Sequence, residues 1–289
     1  MKPVQQKNVH YFPGHMKKAL GNLAPFIKGC DLVIEIADAR APISSRNPLI
    51  DELIGEKPRI LILSKDDYAD PVSTQQWVRY FSSLNLPCFA GTLTSRTIHS
   101  RLIEISRPIA LKKAEKEKRI GMKPQPLRLA VLGIPNVGKS TFINTLAGKN
   151  AAKSGNKPGV TRAEQWIKIK DGFVLLDTPG ILPMNYPDGV MAVRLALLGS
   201  IKEEVLPNHE LALALLGYLR ENYPSSFFQR FGIADLSLLD SDDVIGEVAR
   251  SRGMLLKGSK LDEEKAVSLI LREFRDGFLG RFSLEKVDA

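Results

Sequence analysis

Residues Gly133-Ile134-Pro135-Asn136-Val137-Gly138-Lys139-Ser140 follow the apolar run Leu129-Ala130-Val131-Leu132 and lead into Thr141-Phe142-Ile143-Asn144-Thr145-Leu146. A polyphosphate needs backbone N–H groups turned inward, glycines where a Cβ would intrude, a lysine for the outer phosphates and a hydroxyl for Mg²⁺. All stand in register here, with Gly133, Asn136, Val137, Gly138, Lys139, Ser140 and Thr141 as the phosphate-binding set. Farther along, Val174-Leu175-Leu176 delivers Asp177-Thr178-Pro179-Gly180. A carboxylate ending a strand beside such a loop can hold Mg²⁺ through water, and the N–H of Gly180 can sense a γ-phosphate. Between them, in Lys157-Pro158-Gly159-Val160-Thr161-Arg162, Thr161 is placed to add a second hydroxyl ligand. Ser140, Thr161 and Asp177 are therefore the predicted Mg²⁺ ligands, and their order and spacing point to nucleotide hydrolysis.

Base choice needs a strand ending in Asn/Ser-Lys-x-Asp, whose aspartate accepts both N–H groups on guanine's Watson–Crick edge. The chain holds two copies. Ser259-Lys260-Leu261-Asp262 is preceded only by Met254-Leu255-Leu256, and Asp262-Glu263-Glu264 reads as the start of a helix. Ser64-Lys65-Asp66-Asp67 instead ends the aliphatic strand Ile60-Leu61-Ile62-Leu63, which makes Ser64, Lys65 and Asp67 the predicted guanine contacts. ATP would leave a buried Asp67 carboxylate facing the wrong ring edge, a penalty on the order of 1–3 kcal/mol or more. The base reader thus precedes the phosphate loop in the chain.

Such groups must be held by a sheet. Buried strands are predicted at 31–38, 58–63, 87–90 and 129–132, with helices over 47–55, 73–84 and 98–121 between them, the alternation of a parallel sheet. Residues 165–169 and 173–177 read as a hairpin turning at Asp171-Gly172. Everything after about Pro183 is helical in pattern, and Leu211-Ala212-Leu213-Ala214-Leu215-Leu216 is apolar enough to be core. The expected class is α/β followed by an all-α domain, divided as 1–183 (with a basic N-terminal segment, 1–28) and 184–289.

Composition is that of an ordinary soluble protein, 44% hydrophobic and 25% charged. Cys30 and Cys88 lack the spacing of a zinc site, so reduced structural thiols and a cytoplasmic location are expected. No run approaches a membrane span, and no membrane partner is expected. The net charge of +9 is uneven: residues 185–289 carry 13 Lys+Arg against 17 Asp+Glu, leaving 28 and 15 to residues 1–184, or −4 against +13. The surplus either meets an anionic partner or simply solubilises the surface.

The motif order resembles that of the circularly permuted GTPases. Tyr11-Phe12-Pro13-Gly14-His15-Met16-Lys17-Lys18-Ala19, Asp38-Ala39-Arg40-Ala41-Pro42 and the phosphate loop together resemble the YlqF type, the ribosome biogenesis GTPase A family. The resemblance implies a three-layer P-loop GTPase domain with permuted motif order. It also implies GTP and GDP as ligands, and a monomeric factor that binds the large ribosomal subunit and its RNA late in assembly and leaves on hydrolysis. Lys17, Lys18, Lys112, Lys113, Lys116 and Arg119 are the leading RNA contacts on that basis, and Arg250, Arg252, Lys257 and Lys260 are either RNA contacts or a solvated face. A nucleotide-gated RNA-binding scaffold with incidental hydrolysis, and an ATP-using enzyme with a coincidental Ser-Lys-x-Asp, are the competing readings.

Three positions stand out against the family pattern. Ser64 occupies a usual Asn position, so the amide that braces the phosphate loop is expected to be lost and nucleotide affinity weakened. Ile181 stands where many GTPases place a water-orienting Gln, and an alkyl chain cannot orient water. In this family the histidine of the Pro-Gly-His segment, His15, is the proposed substitute; it either orients water, fixes a turn or meets RNA. Asn136 stands where potassium-activated GTPases of similar loop sequence place a K⁺ ligand, making K⁺ a second candidate cofactor beside Mg²⁺.

Overall fold

The computed structural model describes residues 14–148, 165–169, 172–182, 189–201, 206–224, 228–233 and 240–287, with backbone alone at 14–20, 165, 228 and 229. These form two compact units, one comprising residues 14–182 with 285–287 and the other residues 189–284. The division differs from the expected 184–289 in that the chain's last described residues return to the α/β unit.

In that unit the chain runs α1 (Gly14–Lys28), β1 (Leu32–Asp38), α2 (Pro48–Ile54), β2 (Arg59–Ser64), α3 (Pro71–Ser83), β3 (Cys88–Ala90), α4 (Arg96–Arg119), β4 (Leu127–Leu132), α5 (Lys139–Ala147), β5 (Gln165–Lys168) and β6 (Phe173–Asp177). The sheet order is β3-β2-β1-β4-β6-β5. All pairings are parallel except the β5–β6 hairpin.

β1 is buried along its whole length because both sheet faces are covered, which is why its apolar residues, interrupted only by Glu35 before the terminal Asp38, do not alternate with polar ones. One face carries Val33, Ala130, Leu132 and Leu176 under α1 and α2, where Leu23, Ile27, Ile50 and Ile54 are buried. The same face continues through Ala37, Leu61 and Leu63 under Trp77 and Phe81 of α3. On the opposite face α5 packs on β4 and β6 with Phe142 and Ile143 buried, and Arg101 of α4 lies over the Phe89 ring. Three layers result.

Parallel strands place their C-terminal ends on one edge, where ligands of open α/β sheets bind. Register brings Asp38 beside Ser64 and Val131 beside Asp177. Ends widely separated in sequence thus form one rim.

The charged second half of α4 is less solvated than its composition suggests. Lys113 Nζ donates to Asp31 Oδ2 at 2.6 Å and to the Pro126 carbonyl at 2.9 Å, and buried Glu117 accepts from the Gln125 N–H. Lys113 therefore pins α4 to the start of β4 and departs from the expected RNA-contact set, whereas Lys112, Lys116 and Arg119 are exposed.

The second unit contains α6 (Gly189–Leu197), α7 (Asn208–Asn222), α8 (Phe228–Phe231), α9 (Ser241–Ser251) and α10 (Glu263–Arg275). α10 buries Ala266, Val267, Ile270, Leu271 and Phe274 at helical spacing against α7 and α9. Its N-cap is Asp262, whose carboxylate accepts from the Lys265 N–H at 3.0 Å, so the second Ser-Lys-x-Asp is a helix start, as its sequence context implies. Leu211, Ala212, Leu215 and Leu216 of α7 are core. Of the C-terminal basic residues, Arg250 pairs with Glu247 and Arg252 donates to the Arg230 carbonyl, while Lys257 and Lys260 are exposed. Among the described residues no helix is long and apolar enough to cross a membrane.

Candidate functional site

β4 ends at Leu132 and the backbone turns sharply at Gly133, whose φ is +150°. Asn136, at φ +64°, and Gly138, at φ +99°, are in left-handed conformations that curl the loop and aim it into α5. A Cβ on Gly138 would lie 2.6 Å from Cδ1 of Leu93, so the loop after β3 closes on this glycine. No side chain caps α5, and its first N–H groups are left for a ligand. Val137 is buried, Ser140 half-buried and Thr141 exposed in the first turn.

Lys139 is buried and its Nζ donates back to the Ile134 carbonyl at 2.8 Å. Burial pulls its pKa down to about 8, against the opposing attraction of Asp177. Asp177 is fully buried, and neither carboxylate oxygen has a hydrogen-bond partner of good geometry. Burial pushes it up to about 6, against the pull of the Lys139 ammonium and the Thr178 N–H. A buried carboxylate without a hydrogen-bond partner is costly unless a cation answers it. That orphaned acid near the phosphate-loop lysine, with the hydroxyl of Ser140 on the next residue, is the kind of hard oxygen donor set that Mg²⁺ takes.

Behind Asp177, Thr178 Oγ1 donates to the Val131 carbonyl at 2.6 Å, fixing the strand end. Gly180 lies so close to the phosphate loop that a Cβ there would be 2.7 Å from the Pro135 nitrogen. Ile181 then donates its N–H to the Gly133 carbonyl at 3.3 Å and its carbonyl accepts from Asn47 Nδ2 at 2.9 Å. The Ile181 side chain sits in the core under α1 and α2. Its type thus has a packing reason, and it anchors the Asp-x-x-Gly segment instead of reaching the phosphate.

Ser64 corrects one expectation. Its fully buried hydroxyl lies 2.8 Å from the Val137 carbonyl and 2.9 Å from the Ala37 carbonyl, so the brace to the phosphate loop survives without an amide. One proton serves two acceptors where an Asn amide would offer two. Lys65, at φ +56°, places its Nζ 3.0 Å from Asp38 Oδ2. Asp67 is exposed rather than buried, a second correction. Its neighbour Asp66 accepts from Thr92 Oγ1 at 3.1 Å, which ties the loop after β3 to the base-reading segment.

Asp38 is the centre of a cluster of which sequence reading gave only the strand end and the motif Asp38-Ala39-Arg40-Ala41-Pro42. Arg40 donates Nε to Oδ1 at 3.0 Å and a terminal nitrogen to Oδ2 at 2.9 Å, and Asp38 and Arg40 are both buried. Burial alone would raise the Asp38 pKa, but Arg40 and then Lys65 hold it well below the usual carboxylate range. Burial lowers the Lys65 pKa, with Asp38 acting against it. Sequence reading also passed over the loop after β3, which brings Thr92 to Asp66 and Leu93 to Gly138; Gly91-Thr92 directly after the strand was its only signal.

Gly133, Asn136, Val137, Gly138, Lys139, Ser140, Thr141, Asp177 and Gly180 are brought to one place, with Ser64 and Lys65 joined to it through the Val137 carbonyl and Asp38. Thr161 lies outside the described residues. His15, Lys17 and Lys18 fall on the first turns of α1, where side chains are not described.

A family model described as 50S ribosome-binding GTPase matches residues 128–214, from β4 through the phosphate loop into the helical unit. The chain is 39% identical over 279 residues to ribosome biogenesis GTPase A of Bacillus cereus, covering 96% of this chain and 93% of that one. The chain belongs to the ribosome biogenesis GTPase A family. Ribosome biogenesis GTPase A of Thermotoga maritima is 32% identical over 276 residues, with 96% and 94% of the two chains covered. Among solved structures, GDP-bound YlqF superposes with a TM-score of 0.65 at 27% identity, over 93% of this chain and all of that one. GNP-bound YlqF from T. maritima gives 0.63 at 28%, over 93% and 98%. A ribosome biogenesis GTPase A hydrolyses GTP on a circularly permuted G domain, which accounts for β2, the strand that ends in the expected base-reading motif, preceding the phosphate loop in the chain yet standing beside β1 at the same rim. Such a GTPase requires Mg²⁺ in general, and Ser140 and Asp177 fit that ion here.

Proposed function

We propose that this GTPase binds the large ribosomal subunit late in its maturation and is released when GTP is hydrolysed. The observation that carries the reading is the attachment of the Asp-x-x-Gly segment. Gly180 lies against Pro135, and Ile181 is held by Gly133 and Asn47, so a γ-phosphate entering the loop must meet this segment and shift it. In sequence the segment is followed by the helical unit, residues 189–284, which in this reading also contacts ribosomal RNA, so the nucleotide has a covalent route to it.

In this reading the N–H groups of Gly133–Thr141 and the Lys139 ammonium cradle the phosphates. Ser64, Lys65 and Asp67 hold the guanine. Ser140, Asp177 and Thr161 hold Mg²⁺, which neutralises phosphate charge when bound. Asn136 is the candidate K⁺ ligand. With Ile181 buried, water orientation falls to another group, for which His15 is the candidate, and hydrolysis without a partner is slow. Lys17, Lys18, Lys112, Lys116 and Arg119 supply contacts to RNA phosphates, which weaken steeply with salt.

The test is GTP turnover with and without purified large subunits, together with co-sedimentation under GTP and GDP analogues. Stimulated turnover and GTP-dependent association are expected. Equal association in both nucleotide states, with turnover unchanged by subunits, refutes the switch and leaves a scaffold.

A further inference from the structure

A loop buried inside a protein must have each of its N–H groups answered. The connection between β1 and α2, residues 39–47, is largely such a loop: Ala39, Arg40, Ala41, Ser44, Ser45 and Asn47 are buried. Part of the demand is met locally. The Asp38 N–H donates to Ser45 Oγ at 2.8 Å, and the Ser45 N–H to the Ala41 carbonyl at 2.9 Å. Ile43 and Ser44 donate elsewhere, to the carboxylate of Glu285 near the end of the chain. The Ile43 N–H meets Oε2 at 2.7 Å, the Ser44 N–H meets Oε1 at 3.0 Å, and the Ser44 hydroxyl also donates to Oε1.

Glu285 is built in rather than laid on. It is 5% exposed, and its main-chain carbonyl accepts from Ser73 Oγ at 3.1 Å and Trp77 Nε1 at 3.3 Å, both on α3. Val287, two residues on, packs against the core cluster to which Trp77 and Phe81 belong. Charge-assisted bonds from two successive N–H groups and a hydroxyl to one carboxylate fix both the position and the direction of the loop.

What that loop carries is the base-reading end of the site. Ser45 holds the backbone of Asp38; Asp38 holds Arg40 and the ammonium of Lys65; Asn47, at the far end, holds Ile181. We propose that Glu285 is a positioning residue of the nucleotide site. By clamping Ile43 and Ser44 it sets Asp38, and through Asp38 it sets Lys65 for the base. The proposal rests on the assignment of Ser64–Asp67 to guanine. Because Glu285 follows directly on Leu284, the last residue of the helical unit, the clamp is covalently tied to that unit.

The full chain is tested as Glu285→Gln, as Ser44→Ala and as the double variant, each titrated with GDP and IDP and melted without nucleotide. A loss of GDP affinity on the order of fivefold is expected in each single variant, at the low end of usual site-to-site coupling. The guanine-over-inosine ratio should narrow, since inosine lacks the amino group that Asp67 reads. The losses in the double variant should fall well short of additive, because both substitutions weaken the one clamp between Glu285 and the loop. GDP affinity within about twofold of the parent in both single variants overturns the proposal. So do equal losses for GDP and IDP, which a merely structural role would give, or additive losses in the double variant. If Glu285→Gln fails to fold, Ser44→Ala, which deletes one hydroxyl, carries the test alone. Asp67→Asn is titrated in parallel with guanine and xanthine nucleotides. Unchanged guanine preference there would remove the base assignment, and the clamp's role with it, independently of the Glu285 result.

Discussion

Asp38→Asn is the perturbation with the largest worked consequence. The carboxylate is 1% exposed and receives Arg40 through Nε at 3.0 Å and a terminal nitrogen at 2.9 Å, with Lys65 Nζ at 3.0 Å on the second oxygen. An amide of the same shape leaves a guanidinium that is itself 1% exposed without its counter-charge. Removing one partner of a buried pair costs about 3–5 kcal/mol. Replacing both partners, as in Asp38→Asn with Arg40→Met, costs less than the sum of the single changes, because the guanidinium is no longer stranded and only the partly exposed Lys65 loses its counter-charge. The sign with pH follows from the folded-state pKa, which lies below the unfolded value of 3.8. Stability from Asp38 is present above that unfolded value and is lost as pH falls below it, when the folded state must also take up the proton. Urea unfolding at pH 7 and at about pH 3 measures both effects: a gap of about 3–5 kcal/mol between parent and variant at pH 7, narrowing in acid. GDP affinity should fall with it, since Lys65 loses its anchor. A gap under about 1 kcal/mol at pH 7, the level of an exposed pair, or a gap that does not narrow in acid, would refute the reasoning.

Ser64→Ala strips the Val137 and Ala37 carbonyls of their shared donor; unfolding free energy should drop by about 1–3 kcal/mol and GDP affinity with it, while guanine-over-adenine preference persists, all readable by calorimetry. Unchanged melting and affinity would mean the hydroxyl braces nothing. Asp177 has a folded pKa raised from 3.8 to about 6, so in the nucleotide-free protein with chelator the native state binds the extra proton and stability falls as pH rises through that window. Asp177→Asn lacks this slope, and its stability relative to the parent should improve by about 2 kcal/mol between pH 4.5 and 7.5 even as Mg²⁺-dependent GTP turnover collapses. Parallel pH curves for the two proteins would show that the carboxylate is not desolvated as described.

Much of this molecule is legible in its sequence because the signals are local. The phosphate loop is set by glycines and a lysine at fixed spacing, the strands by apolar runs that only a sheet covered on both faces can bury, and the permuted order by which Ser-Lys-x-Asp ends a strand. Asp262 opening α10 and Leu211–Leu216 packing as core follow from the same local logic. Ser64 shows where that logic stops. Its side-chain chemistry was clear, but whether a hydroxyl reaches the Val137 carbonyl depends on how far β2 stands from the phosphate loop, a distance fixed by β1 lying between β2 and β4. Lys113 within a charged run, and Arg40 within a turn, could not be told from solvated residues until the fold brought Asp31 and Asp38 to them. Ile181 read as a missing catalytic side chain, and only the packing under α1 and α2 gave it a positive reason. Sequence alone therefore determined which ligand chemistry this chain carries and in what order its parts occur. Tertiary structure decided which buried charges are paired, which carboxylate is left for a metal ion, and that the last residues of the chain return to hold the first strand's loop, because those outcomes depend on distances between residues that lie up to 242 positions apart.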